Sequence, residues 1–390
     1  MSPQRPKVLH ITTSDSSLDL LLLPQLLAFV DAGYEVVGAS GPGPYVASLE
    51  EVGIRHVPLE RSTRAMDPVS DVMYFAELVK MMRRERPTIV HTHNPKPGWF
   101  GGVAARLGVV PVVVNTVHGL YATPRDPWPR RGAVYALERV AAMFSDVELV
   151  QNPEDVTAMR RLRIPAAKLH LLGNGIDLER FRPITSEARK AARARLGLED
   201  HQVVIGAVSR LVWEKGLREL FAAAVELRES APDAQVLVAG PFDSSKADGL
   251  TPRQVARITE EIGVRFLGEQ REIESVYAAL DIYVLASHRE GFPRSAMEAA
   301  ASGLPTVATN IRGCRQVVDH EVTGFLVAPG DSISLADRLR RLVNDPDLRD
   351  RMGAAAIAKA RREFDQNAAI DVTLEAYRRL LSSKGIKDIS

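Results

Sequence analysis

A short β-branched run, a loop and a helical segment follow one another along the first half of the chain, and the same rhythm restarts in the second half. "KVLHIT" (Lys7–Thr12), "EVVGAS" (Glu35–Ser40), "TIVHTH" (Thr88–His93), "PVVVNTVHG" (Pro111–Gly119) and "DVELVQN" (Asp146–Asn152) make the first series. "VVIGAVSRL" (Val203–Leu211), "AQVLVAGP" (Ala234–Pro241), "VRFLGE" (Val264–Glu269), "DIYVLAS" (Asp281–Ser287), "PTVAT" (Pro305–Thr309) and "TGFLVAPGD" (Thr323–Asp331) make the second. These runs are continuously apolar rather than alternating, which marks strands buried on both faces and hence parallel sheets. Helical stretches such as "DVMYFAELVKMMRRERP" separate them. Alternating β and α elements mean doubly wound α/β sheets, and 390 residues exceed what one core organises, so two domains are expected.

Between the series, "GNGIDLERFRPITSEARKAARARLGLED" supplies turn residues and then a basic helix. The linker is expected around Phe181–Ser186, dividing the chain into domains 1–182 and 183–365. "FDQNAAIDVTLEAYRRLLSSKG" reads as one amphipathic helix, and segment 366–390 is expected to pack back on the first domain. Ligands of doubly wound sheets bind beyond the carboxyl ends of the strands, so two such domains facing one cleft can hold two substrates.

Several classes are excluded. The formal net charge is +1, which argues against a nucleic-acid binder. Cys314 is the sole cysteine, so neither an intrachain disulfide nor a thiolate zinc cluster is available, which fits a reducing compartment. The apolar run "LDLLLLPQLLAFV" is cut by Pro24 and Gln25, lacks a cleavage site and is too short to span a bilayer. It reads as a buried helix after the first strand. The expectation is a soluble cytoplasmic chain, with membrane contact at most peripheral at the inner face. In "RDPWPRRGAVYALERVAAMF", Trp128, Arg130 and Arg131 suit a surface that meets anionic lipid; a loop leading into a core helix is the other reading.

The chemistry concentrates in "ASHREGFPRSAMEAAASGLPTVAT". Glu290 stands on a loop and Glu298 in the next helix, with Gly291, Phe292, Pro293 and Arg294 after the first of them. Pro293 suits a first helical turn, Gly291 lets main chain approach a ligand, and the amides of a helix start attract anions. Carboxylates accept hydrogen bonds from hydroxyls. A diphosphate flanked by two polyols uses this set, and that describes a nucleotide sugar. Arg210 and Lys215 in "SRLVWEKG" lie at a strand end, where cations neutralise a departing pyrophosphate.

"EGFPRSAMEAAASGLPTVAT" resembles the E-x7-E signature of the retaining family 4 glycosyltransferases. "SRLVWEKG" resembles that family's donor-phosphate motif, "GNGID" its interdomain turn and "TGFLVAPGD" its late strand, in the right order over nearly the whole chain. "VHTHNPKPGWFGGVAARLGVVPVVVNTVHGL" is similar to bacterial members that build capsular and other surface polysaccharides on a lipid carrier. The resemblance implies a GT-B fold with retention at the anomeric carbon and no essential metal or other cofactor. It also implies a nucleotide-sugar donor in the C-terminal domain, UDP-sugar favoured over GDP-sugar. An undecaprenyl-diphosphate-linked saccharide is the implied acceptor, in the N-terminal domain. By the same resemblance, Glu290 bonds hydroxyls of the transferred sugar, Glu298 bonds the ribose, and Arg210 and Lys215 hold the diphosphate. Backbone amides from Gly291 to Arg294 complete the donor site, Gly313 approaches it, and His118 contacts the donor sugar.

Two places depart from the pattern. The first loop, "TTSDSSLD", lacks the glycine pair of many relatives, leaving Thr12, Thr13 and Ser14 as substitute donors, and Gln316 stands where many relatives have a glutamate. His91 and His93 share a strand face, but a metal needs further ligands and none stands nearby in the sequence. Asp345 or Asp347 in "NDPDLRD" reads as a helix cap rather than part of a metal site. A nucleotide-sugar 2-epimerase of the same fold is the competing enzyme, and a two-lobed sugar-binding protein the non-enzymatic alternative. No G-x-G-x-x-G follows "KVLHIT", which disfavours a dinucleotide-dependent oxidoreductase.

Overall fold

The structure, a computed structural model, describes residues 5–63, 66–93, 95–123, 126–243 and 246–387. They form two compact units, one running to Gly173 and resuming at Asn367, the other comprising Asn174–Gln366.

The first unit is built on seven strands: β1 (Lys7–Ser14), β2 (Glu35–Gly41), β3 (Arg55–Pro58), β4 (Ile89–His93), β5 (Val112–Val117), β6 (Val147–Val150) and β7 (Leu169–Leu171). Their order is β3-β2-β1-β4-β5-β6-β7, every pair parallel. Alternate residues of each strand enter different cores. Val8, Ile89, Val112 and Val114 pack with Leu26 and Phe29, while Leu9, Ile11, Val90 and Val113 pack with Leu78 and Met82. That two-sided burial is why the strands read as unbroken apolar runs.

The helix Gln366–Ser383 belongs to this unit and inserts Ile370, Leu374, Tyr377 and Leu381 beside Phe29 and Val112. The apolar run after β1 is not one buried helix. It is a π-helical turn, Leu18–Leu22, followed by the helix Leu23–Asp31; Leu18, Leu22, Leu26 and Phe29 are buried, whereas Leu20 and Leu21 are 55% and 42% exposed. Asp345 does cap a helix: its carboxylate accepts from the Leu348 amide at 2.9 Å.

The second unit carries β8 (Val203–Val208), β9 (Ala234–Ala239), β10 (Arg265–Gly268), β11 (Ile282–Leu285), β12 (Thr306–Thr309) and β13 (Gly324–Val327). They are ordered β10-β9-β8-β11-β12-β13, again all parallel. Phe181 is buried in this unit's core, edge-on to Tyr277. In each sheet the winding direction reverses once, between β1 and β4 and between β8 and β11. Loops leaving the strands there diverge and open a crevice.

Candidate active site

At the β8–β11 reversal the backbone is packed too closely for side chains. Gly216 has φ +71°, and a Cβ there would stand 2.0 Å from the Ala286 carbonyl oxygen just past β11. Only glycine lets the short turn Trp213–Lys215 lie against that strand end. Gly313 is equally confined: a Cβ would meet the carbonyl oxygens of Glu290 and Gly291 at 2.7 and 2.8 Å. Asn174 holds the same loop from another side, its amide donating to the Phe292 carbonyl at 3.0 Å. Pro293 is the extended N-cap residue (φ −74°, ψ 112°) of the helix Arg294–Ala301, one place earlier than expected. Proline carries no N–H, so Pro293 adds no amide to the Gly291–Arg294 stretch.

Lys215, Glu290 and Arg210 each have a charged partner. Lys215 Nζ lies 2.7 Å from Glu290 Oε1, with the two side chains 20% and 12% exposed. The Arg210 guanidinium is bonded to Asp243, which follows β9. Glu298 accepts from Tyr277 Oη at 2.8 Å. Burial raises its carboxyl above the usual range, while Arg294 and the Tyr277 hydroxyl pull the other way. Burial also pushes the Tyr283 phenol well up, with Glu298 and Glu290 adding to the shift, so both glutamates act on one ring.

The fold therefore brings Lys215, Glu290, Gly291 and Gly313 into one contact set. Arg210 meets Asp243 at the ends of β8 and β9, and Glu298 sits on its helix against Tyr277. Asp243 and Tyr277 were missed by sequence reasoning. Tyr277 left a signal, since a buried tyrosine needs a partner for its hydroxyl. Asp243 left none, because its pairing depends on β9 lying beside β8.

In the first unit the β1–β4 reversal carries histidines. His10 Nδ1 lies 3.0 Å from His93 Nε2, and His93 Nδ1 lies 3.1 Å from His118 Nε2, with half-buried His118 just past β5. His10 is the third histidine that the reading of His91 and His93 lacked. One ring nitrogen from each of these three lies within 4.8 Å of the others. The rings stack, His91 on His93 at 4.2 Å and His10 on His93 at 5.3 Å, and both nitrogens of His91 are already bonded, to Tyr377 Oη and Thr116 Oγ1. That geometry describes a hydrogen-bonded row better than a tetrahedral ion site. In the glycine-free loop, the buried Thr12 hydroxyl donates to the Ser14 carbonyl at 2.8 Å. Ser14 Oγ lies 3.0 Å from Ser16 Oγ.

Two parallel doubly wound units, each with a single strand-order reversal, make the GT-B fold. The chain belongs to glycosyltransferase family 4: residues 26–180 match the family model described as Glycosyltransferase Family 4, and residues 188–359 match Glycosyl transferases group 1. It is 31% identical to a D-inositol 3-phosphate glycosyltransferase of Saccharomonospora viridis, covering 88% of this chain and 84% of that one. It is 29% identical to the Escherichia coli UDP-Gal:alpha-D-GlcNAc-diphosphoundecaprenol alpha-1,3-galactosyltransferase, covering 78% of each. Among solved structures, Anabaena HepE in complex with UDP-glucose superposes with a TM-score of 0.79 at 22% identity, covering 95% of this chain and 99% of that one.

Proposed function

We propose that this glycosyltransferase moves a hexosyl or N-acetylhexosaminyl group, with retention and without a metal, from a nucleoside-diphosphate sugar to a hydroxyl of an undecaprenyl-diphosphate-linked saccharide in surface polysaccharide synthesis. The observation that carries the reading is the Lys215–Glu290 pair, 2.7 Å apart at the β8–β11 reversal. A cation and a hydroxyl acceptor side by side suit a ligand whose phosphate and sugar hydroxyls are neighbours. The E. coli relative is named for a UDP-sugar donor and a diphosphoundecaprenol-linked acceptor, and HepE was solved with UDP-glucose; both favour uridine over guanosine here.

In this reading the donor's diphosphate draws Lys215 from Glu290 and Arg210 from Asp243. Glu290 is then free to accept from sugar hydroxyls, and Glu298 from the ribose. The amides of Gly291, Phe292 and Arg294, with the main chain at Gly313, complete the donor site. His118 is the first unit's contact to the sugar. The bond between the anomeric carbon and the diphosphate oxygen breaks while the two cations take up the developing charge. The acceptor hydroxyl forms its bond on the same face and passes its proton to the departing diphosphate, so no side chain need serve as base. Rate comes from positioning and charge stabilisation.

The helix Trp128–Phe144 is the proposed membrane contact. Trp128 and Met143 are 78% and 72% exposed, Arg130 and Arg139 are exposed beside them, and Glu138, the helix's one acid, is buried against Trp99. Among the described residues no helix is long and apolar enough to cross a membrane, so any lipid contact made here is interfacial.

The deciding experiment is a thermal-shift panel of UDP- and GDP-sugars, followed by turnover with a lipid-diphosphate saccharide in EDTA. Binding of a nucleotide sugar raises the transition temperature. Acceptor-dependent release of nucleoside diphosphate, with the donor's anomeric configuration kept in the product, is the expected outcome. Consumption of the nucleotide sugar without acceptor indicates the epimerase instead.

A further inference from the structure

The proposed reaction makes no use of the histidines behind His118. His10 on β1, His91 and His93 on β4 and His118 beyond β5 share one face of the first sheet, because His10 pairs with His91 and His93 pairs with Thr116. His91 stands beside the row rather than in it. Its Nδ1 meets Tyr377 Oη at 2.5 Å and its Nε2 meets Thr116 Oγ1 at 2.7 Å. The row itself is His10, His93, His118, joined ring to ring at 3.0 and 3.1 Å.

Burial pulls His10 down to about 3 and His93 well below the ordinary histidine range, so both inner rings are neutral near pH 7. A neutral imidazole has one N–H and one lone pair. Consecutive rings must then all donate in the same direction, and only two polarities exist. The inner end chooses between them. His10 Nε2 is buried and has no hydrogen-bond partner among the described residues. Donation inward places an N–H at that atom with nothing to receive it. Donation outward places a lone pair there instead. Buried orphan N–H groups are the rarer state in proteins, which selects the outward polarity.

We propose that His93, backed by His10, is a positioning residue that fixes His118 as the tautomer protonated at Nδ1 and lone-paired at Nε2. His10 Nδ1–H donates to His93 Nε2, and His93 Nδ1–H donates to His118 Nε2. His118 therefore acts on its ligand as a neutral hydrogen-bond donor through Nδ1–H, matched to a hydroxyl or other oxygen acceptor of a sugar. It does not act as a base through Nε2. The ligand side of this inference rests on the reading of His118 as a sugar contact; the tautomer does not.

Two-bond proton–nitrogen spectra of the full-length protein labelled with 15N-histidine test it. His118 is identified by the signal lost in His118→Gln. The expected spectrum shows Nε2 of His118 unprotonated and Nδ1 protonated. His93→Gln keeps an acceptor for His10 and a donor for His118, and retains that pattern. His93→Leu removes both, mixes the His118 tautomers, and raises KM for the nucleotide sugar about tenfold, the worth of one hydrogen bond. A protonated Nε2 in the wild type overturns the proposal, as does an unaltered His118 pattern in His93→Leu. If His93→Leu does not fold, the wild-type spectrum alone decides. A shifted tautomer with unchanged KM supports the positioning by His93 and overturns the sugar-contact reading of His118.

Discussion

Two carboxyls of the first unit, Glu138 and Glu148, sit where burial opposes their charge. Glu148 on β6 accepts from Asn115 Nδ2 at 2.6 Å and from Ser145 Oγ at 2.5 Å, and Glu138 accepts from Trp99 Nε1 at 3.0 Å. Burial pushes both carboxyls up to about 7 from 4.5. The folded state thus holds these protons more tightly than the unfolded chain. Their contribution to stability is complete below about pH 4.5 and is lost as pH rises through about 7. Glu148→Gln is expected to shrink the fall in Tm between about pH 5.5 and 8 by a few degrees; an unchanged fall means the proton resides elsewhere. In the second unit, Lys215→Ala removes a cation from the proposed diphosphate and is expected to lower kcat about 10²–10³-fold with Tm nearly kept. Near-normal turnover would leave the leaving group without its proposed stabiliser.

At the level of elements, two glycines with left-handed backbones make a controlled comparison. Gly216 faces the Ala286 carbonyl, whereas Gly197, with φ +60° at the end of the helix Ser186–Leu196, has nothing within 4 Å of a built Cβ. Gly197→Ala is expected to cost only the backbone term, about 1 kcal/mol. Gly216→Ala also forces the turn off the end of β11, costing about 1–3 kcal/mol more and weakening nucleotide-sugar binding. Chemical denaturation and calorimetric titration check the two effects; equal costs would refute the close approach.

The strands β1, β2, β4, β5 and β6 were legible in the sequence because both their faces are buried and carry many β-branched residues, though the readings ran on into the loops that follow. β3 was not legible, since only Val57 of Arg55–Pro58 is buried at this sheet edge, and β7 has just three residues. The turn from Glu290 into the helix that starts at Arg294 was legible because its Gly and Pro signals are local. The Arg210–Asp243 pair and the place of His10 beside His93 were not. Both depend on which strands become neighbours, and that is decided by the whole sheet.

For the molecule as a whole, the bare face of the helix Trp128–Phe144 sets the expectation at the membrane. Arg130→Glu with Arg131→Glu should abolish co-sedimentation with anionic vesicles, because each basic residue near such a surface is worth about 1 kcal/mol. Nucleotide-sugar binding should be unaffected, and undiminished sedimentation would remove the membrane role. Chain order has a separate effect. The second unit is one continuous stretch, but the first needs Ile370, Leu374 and Tyr377 to cover Phe29 and Val112. During synthesis the part translated first is therefore the part finished last. Its sheet waits, partly uncovered, while an entire neighbouring unit is made and folds, and in that interval chaperone protection matters most.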